Sequence, residues 1–166
     1  MFEELFIETY KSMLPYLRKD DTVLEIGCRS DRGAISSHMF DCKEFTCLDA
    51  QPSRVEQARR GAKPGTSFVV ADALSDDLPS CDVIITTALI HHFSVDQLDE
   101  IFSHLSKFAK RRIIISGPNA QAQTELYGDH KYHILVPDIE QAANKYGFFV
   151  EGVVYFDDLA PPITFF

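Results

Sequence analysis

No two cysteines of this chain stand in a C-x-x-C pair. The four present, Cys28, Cys42, Cys47 and Cys81, have neither zinc-ligand nor redox-motif spacing. Reduced thiols in a cytoplasmic protein are the reading that follows. Positive charge is also scarce. Sixteen Lys and Arg against 25 Asp and Glu leave a net charge of −9, so the basic footprint that grips nucleic acid or an anionic membrane is missing. The basic clusters, Arg59-Arg60 and Lys110-Arg111-Arg112, are expected at helix ends, where they favour the helix dipole. No apolar run approaches the ~20 residues that cross a bilayer. The opening MFEELFIETY is amphipathic and acidic, unlike a signal peptide. There is no internal repeat, low-complexity stretch or linker, so residues 1–166 read as a single domain.

What remains is ordinary for a globular protein, with 45% apolar and 25% charged residues and length enough for a real core. Phe2 to Leu17 carry one apolar face at helical spacing, with Pro15 kinking or ending the helix; residues 1–19 are expected as an N-terminal helix and lid. Strands are expected over 22–27, 44–48, 67–71, 82–86, 112–116 and 148–156, with a short seventh over 163–166. Helices are expected between them: over 32–40 with Ile35 and Met39 inward, from Pro52 to Gly61, from Ser94, and from Pro137 to Gly147. Ser94-x-x-Gln97 reads as a capping box, and Leu98, Ile101, Phe102, Leu105 and Phe108 form a buried stripe. Residues 117–136 form a long irregular connection of the kind that is often functional. Alternating strands and helices imply an α/β fold: a Rossmann-like, doubly wound sheet of six to seven mostly parallel strands with helices on both faces.

The stretch DTVLEIGCRSDRGAISS, residues 21–37, organises the rest. An apolar strand ends in Glu25 and Gly27, a polar loop follows, and a helix begins. A strand, a tight turn and a helix make a nucleotide-sized site. Asp49 ends the second strand 22 residues after Gly27, where an acid can accept hydrogen bonds from ribose hydroxyls. A Rossmann dinucleotide site would need G-x-G-x-x-G, and this chain places Gly27, Arg29 and Arg32 at those positions, so NAD is disfavoured.

These residues resemble the first motif of class I S-adenosylmethionine (SAM)-dependent methyltransferases: apolar strand, acid, any residue, then glycines at alternate positions. Arg29 and Asp31 stand where the family usually has its second and third glycines, and Gly33 is out of register. Asp72-Ala73 resembles the pair that meets adenine. Asp82 to Phe93, DVIITTALIHHF, is similar to the fourth-strand segment of small-molecule methyltransferases, and residues 147–151 are similar to a late helix-to-strand step. The resemblance spans about residues 20–157. It implies a strand order 3-2-1-4-5-7-6 with the seventh antiparallel. It implies S-adenosyl-L-methionine as cofactor, bound by Glu25, Gly27, Cys28, Asp49, Ala50, Asp72, Ala73 and Thr87. His92 is the candidate catalytic base, since imidazole exchanges a proton near neutral pH; His91 is the lesser choice.

Each assignment has a structural counterpart. Glu25 can be a strand-end carboxylate satisfied by backbone amides, Asp49 a helix cap, Asp72 a turn residue and His92 a packed residue. Asp129-His130-x-x-His133 lacks a third ligand, so no metal is expected. Tyr127 and Tyr132 either close over a substrate or pack in their loop. The activity implied is methyl transfer to a small molecule by direct displacement. The alternative is a methyltransferase-like domain that no longer catalyses and serves as a binding or assembly module, with a protein partner or as a homodimer. Arg29, Asp31 and the short C-terminus motivate it.

Overall fold

A computed structural model of the chain describes residues 2–29, 32–87, 89–117, 134–154 and 163–165. The elements of the described residues are, in order, α1 (Phe2–Met13), a 3-10 turn (Leu14–Tyr16), β1 (Thr22–Ile26), α2 (Arg32–Met39), β2 (Glu44–Asp49), α3 (Pro52–Gly61), β3 (Ser67–Val70), β4 (Cys81–Thr87), a second 3-10 turn (Ile90–His92), α4 (Val95–Leu105), β5 (Ala109–Ser116), α5 (Val136–Asn144), β6 (Gly152–Val154) and β7 (Ile163–Phe165). The sheet order is β3-β2-β1-β4-β5-β7-β6. The body of the sheet is β3-β2-β1-β4-β5, parallel throughout. Beyond β5, the short strands β7 and β6 pair antiparallel.

Side-chain alternation along the strands feeds two cores. Leu24, Ile26, Leu48, Ile84, Ile113 and Ile115 face α4 and α5, where Leu98, Ile101, Phe102, Leu105, Ile139 and Ala143 are buried. Val23, Cys47, Val83, Ile85 and Ile114 face the other way, against Tyr10, Met13, Phe40 and Ala58. A strand buried on both faces reads as a nearly continuous apolar run, as VIITT of β4 does.

Helix α4 starts as its sequence requires. Ser94 Oγ accepts from Gln97 N at 3.3 Å, while Gln97 Oε1 accepts from Ser94 N at 2.9 Å. Helix α5 starts one residue before Pro137, with the Asp138 carboxylate accepting from Leu135 N at 2.9 Å. Gly147 stops it at φ +80°.

Helix α1 ends at Met13, and a tighter turn containing Pro15 follows, as that proline predicts, because it denies the helix a donor. The C-terminal half of α1 belongs to the core, since Tyr10 and Met13 are completely buried. Three expectations need correction. The buried face of α2 is Arg32, Gly33, Ser36 and Ser37, while Ile35 and Met39 are only half-buried. Arg111 and Arg112 lie inside β5 and not at a helix end. There Arg111 pairs with buried Asp21, and Arg112 donates to Tyr16 O at 2.6 Å and to Glu151 Oε2 at 2.5 Å. These contacts strap the segment after α1 to the sheet. The sixth strand is shorter than 148–156, since residues 148–151 are unpaired and Phe149 is 71% exposed.

Candidate functional site

A cleft of about 200 Å³ lies over the C-terminal ends of the parallel strands. In open α/β sheets this is where ligands bind, beside the strand from which the order reverses; here β1 is that strand. The cleft brings together residues from four strand ends and the 3-10 turn after β4. Gly27, Asp49, Ala50, Asp72, Ala73 and His92 line it. So do Arg29, expected in the loop at a glycine position, and Arg32, Arg54, Thr86, Leu89 and Phe93, which were not among the expected site residues.

The loop after β1 is the floor. Gly27 takes φ +76°, and the N–H groups of Gly27 and Cys28 both donate to Leu48 O, at 2.8 and 3.1 Å. Arg29 has φ +37°, in the left-handed region that costs a non-glycine residue about 1–2 kcal/mol. The backbone conformation a glycine would favour is thus kept with an arginine. Gly33 is out of register for the glycine pattern, yet a Cβ there would stand 2.8 Å from Cys28 Cβ, 3.0 Å from Cys47 Sγ and 3.3 Å from Cys28 O. Close helix-to-strand packing, the task of a third glycine in such loops, falls to Gly33. Residue 31 lies outside the described residues.

The Asp49 carboxylate is 5% exposed. Its Oδ1 accepts from Gln51 N at 2.9 Å and its Oδ2 from Arg29 N at 3.2 Å, with Arg54 Nη1 at 4.0 Å. A carboxylate has about four acceptor positions, so capping its own helix start and tying down the loop leaves room for further donors. Asp72 plays a local turn role, with Oδ1 accepting from Leu74 N at 2.9 Å, and also faces the cleft.

Beside the cleft lies a buried polar cluster. Tyr10 Oη donates to Glu25 Oε1 at 2.7 Å and Ser36 Oγ to Glu25 Oε2 at 2.5 Å. Glu25 is therefore satisfied by side-chain hydroxyls, not by backbone amides as the sequence reading allowed. Burial raises its pKa, against the opposing effects of Ser36, Tyr10 and Arg32. Burial and the neighbouring carboxylate also hold the Tyr10 phenol well above its ordinary value. Arg32, 7% exposed, donates from Nη1 to Thr87 O at 2.9 Å, and its guanidinium carbon sits 4.9 Å from the Phe6 ring centroid. Desolvation lowers its pKa, although Tyr10 and Glu25 favour the cation.

At the ends of β4 and β5, the buried hydroxyls Thr86 Oγ1 and Ser116 Oγ have no hydrogen-bond partner among the described residues, and the Thr87 hydroxyl lies against the Tyr10 phenol. Thr86 lines the cleft. Thr87 and Ser116 are register partners on the opposite face.

Of the residues expected in the site, Glu25, Cys28 and Thr87 do not line the cleft. Glu25 and Cys28 are completely buried beneath it, with Cys28 packed at Gly33. The Cys47 thiol beside it is pushed far up by its contact with Cys28 and by burial. Tyr127, Asp129, His130, Tyr132 and His133 lie outside the described residues. Among the described residues no group of three His, Cys, Asp or Glu could hold a metal ion, and no helix is long and apolar enough to cross a membrane. Arg32 is the residue most easily missed. Its type at the head of a helix reads as solvated charge, and only the contacts with Phe6 and Thr87 reveal it as an interior group.

Residues 23–112, more than half of the chain, match the family described as a methyltransferase domain. No curated protein sequence is significantly similar. Among solved structures, magnesium protoporphyrin IX methyltransferase from Synechocystis PCC 6803, determined with SAH and with SAM bound, superposes with a TM-score of 0.77 in the SAH form. That match has 18% identity and covers 95% of this chain and 80% of that one. A SAM-dependent methyltransferase from Mesorhizobium loti gives 0.76 at 15% identity, covering 97% and 96%. The N-methyltransferase NodS from Bradyrhizobium japonicum WM9 gives 0.75 at 16%, covering 98% and 96%. At these identities the structures share the fold.

Proposed function

This chain belongs to the methyltransferase domain family, and from that premise we propose that its cleft binds S-adenosylmethionine and that it transfers the methyl group to a small-molecule acceptor. The observation that carries the reading is the convergence of Gly27, Asp49, Asp72-Ala73 and Thr86 on one cleft at the C-terminal ends of the parallel strands. Two features suit the ligand. Asp49 retains acceptor positions for a pair of ribose hydroxyls, and the buried Thr86 hydroxyl on the cleft wall lacks a partner that a polar ligand would supply.

The cofactor brings a sulfonium methyl group that is displaced directly, so the protein supplies alignment and exclusion of water. Asp49 orients the ribose. Asp72 and Ala73 meet the adenine, Oδ2 of Asp72 accepting from the exocyclic amine. Leu89, Ile90 and Phe93 give the cleft an apolar wall. Glu25 holds the loop from beneath through Tyr10 and Ser36 and does not touch the ligand. An oxygen or nitrogen acceptor gives up a proton, and His92 on the cleft wall is the group assigned to take it.

Titration of the purified protein with SAM, followed by a tritiated-methyl screen over small molecules, tests the reading. Binding with methyl transfer to at least one acceptor supports it; binding without transfer favours the non-catalytic module, and no binding overturns the cofactor assignment. If His92 is the base, His92→Asn leaves SAM affinity nearly intact and lowers turnover. Full turnover in the variant would remove His92 from the chemistry.

A further inference from the structure

The turn after β3 carries Asp72, and it hangs from the edge of the sheet. Among the described residues β3 pairs only with β2, so the turn has strand support on one side. The turn closes on itself. Asp76 N donates to Asp72 O at 3.0 Å, and Asp76 Oδ2 accepts from Asp72 N at 2.8 Å. Asp72 Oδ1 accepts from Leu74 N at 2.9 Å. Asp76 thus sets the backbone from which the Asp72 carboxylate is aimed.

Asp76 is held in turn from α4. His104, in the last turn of that helix, places Nε2 2.9 Å from Asp76 O. A carbonyl oxygen only accepts, so Nε2 carries the hydrogen whether the ring is neutral or charged. The Phe108 ring, with its centroid 5.2 Å away and its plane tilted by 58°, steadies the imidazole. A histidine at a helix C-terminus is ordinarily a solvated group beside the dipole. This one directs its donor to a turn 28 residues earlier in the chain. Asp72 lines the cleft, whereas Asp76 and His104 do not. Any effect of His104 on a ligand therefore passes through the turn.

We propose that His104 is a positioning residue for the base end of the cleft: through Asp76 it fixes the Asp72 carboxylate, and so it sets how sharply the cleft selects a base that carries an exocyclic amine. The inference rests on the proposed contact between Asp72 and adenine, and it adds the group that makes this contact selective. The reason is geometric. A carboxylate oxygen accepts from the amine of adenine and repels the carbonyl oxygen of hypoxanthine. It discriminates only while it is held at bonding distance, and groups that touch a ligand owe that precision to the hydrogen bonds behind them. On a turn free to swing, the carboxylate retreats from the carbonyl and the two bases bind more alike.

Calorimetry with S-adenosylhomocysteine and S-inosylhomocysteine, which has a carbonyl in place of the amine, tests this on wild type, His104→Ala, His104→Asn and His104→Gln. The wild type should prefer the adenine ligand roughly tenfold or more. His104→Ala should bring that ratio below about threefold. His104→Asn should do the same, because its amide stops short, at the position of Nδ1. His104→Gln puts an amide nitrogen where Nε2 stood and should restore the ratio. A general loss of packing weakens both ligands alike, so an unchanged ratio in His104→Ala overturns the proposal whatever the affinities. So does a ratio that His104→Gln fails to restore, which would assign the effect to the ring against Phe108. Asp76→Ala gives an independent arm at an exposed position. It removes the acceptor from Asp72 N and leaves the carbonyl that His104 meets. It must also lower the ratio, and an unchanged ratio there breaks the link. A wild type that binds both ligands equally overturns the Asp72 contact and this inference with it, while the cofactor assignment stands. A wild type that binds neither overturns all three.

Discussion

The two faces of the sheet are built on different terms. The face under α4 and α5 is closed by Leu98, Ile101, Phe102, Leu105, Ile139 and Ala143, all apolar and all buried. The face under α1 and α2 buries Phe40, Met13 and Val83, but near its C-terminal edge it also buries Tyr10, Glu25, Arg32, Ser36, Thr87 and Ser116. Burying charge is unfavourable unless the charge is paired and hydrogen-bonded. The first face therefore supports stability, and the second carries polarity that stability alone would not select. The cleft draws on both: Ile26, Leu48, Ile101 and Leu105 of the first face line it together with Arg32 of the second.

The contrast breaks most visibly by truncation on the apolar face. Phe102 is completely buried, and Phe102→Ala should cost about 3–5 kcal/mol of unfolding free energy while nucleoside affinity of the folded protein stays unchanged. Denaturant melts paired with calorimetry check this, and a matching loss of affinity would blur the division. On the other face, Gly33→Ala places a methyl group against Cys28 and Cys47. Overpacking of this kind costs about 1–3 kcal/mol, and since it displaces the floor of the cleft it should weaken binding too. A variant as stable as wild type would show that α2 can lift away freely.

The smallest effect is electrostatic. Burial raises the Glu25 carboxyl. A carboxyl raised in the folded state stabilises the fold while protonated, and that contribution is lost as pH rises from the ordinary carboxylate range through the folded value. Glu25→Gln removes this dependence. The stability difference between the variant and wild type should therefore move in favour of the variant as pH increases through that window. A slope of the opposite sign would mean that Arg32, Tyr10 and Ser36 outweigh desolvation.

Much of the apolar face was legible in the sequence. The stripe from Leu98 to Leu105 has helical spacing, Ser94 and Gln97 announce the start of α4, and runs such as VLEI and VIITT read as strands buried on both sides. The parallel order β3-β2-β1-β4-β5 followed from the alternation of strands and helices together with the family resemblance. The polar face was not legible, because its logic lies between elements distant in the chain. Glu25 meets Tyr10 across 15 residues, and Arg32 meets Thr87 across 55. No local pattern marks an interior arginine on a short helix, so α2 was expected to face inward with Ile35 and Met39. Gly33 looked misplaced by the glycine pattern, since only the crossing of α2 over β1 and β2 shows what its missing Cβ permits. Lys110-Arg111-Arg112 misled for the same reason, being a strand segment whose arginines reach back to Asp21 and Tyr16.

Asp49 offers the most direct test of the site as a whole, because its carboxylate joins the loop after β1, the start of α3 and the cleft. Calorimetric titration of wild type and Asp49→Ala with SAM should show binding to the wild type and a loss of roughly ten- to a hundredfold in the variant, corresponding to about 1.5–3 kcal/mol for hydrogen bonds to a charged group. Equal affinities, or no binding to the wild type, would contradict the assignment of this cleft to the cofactor.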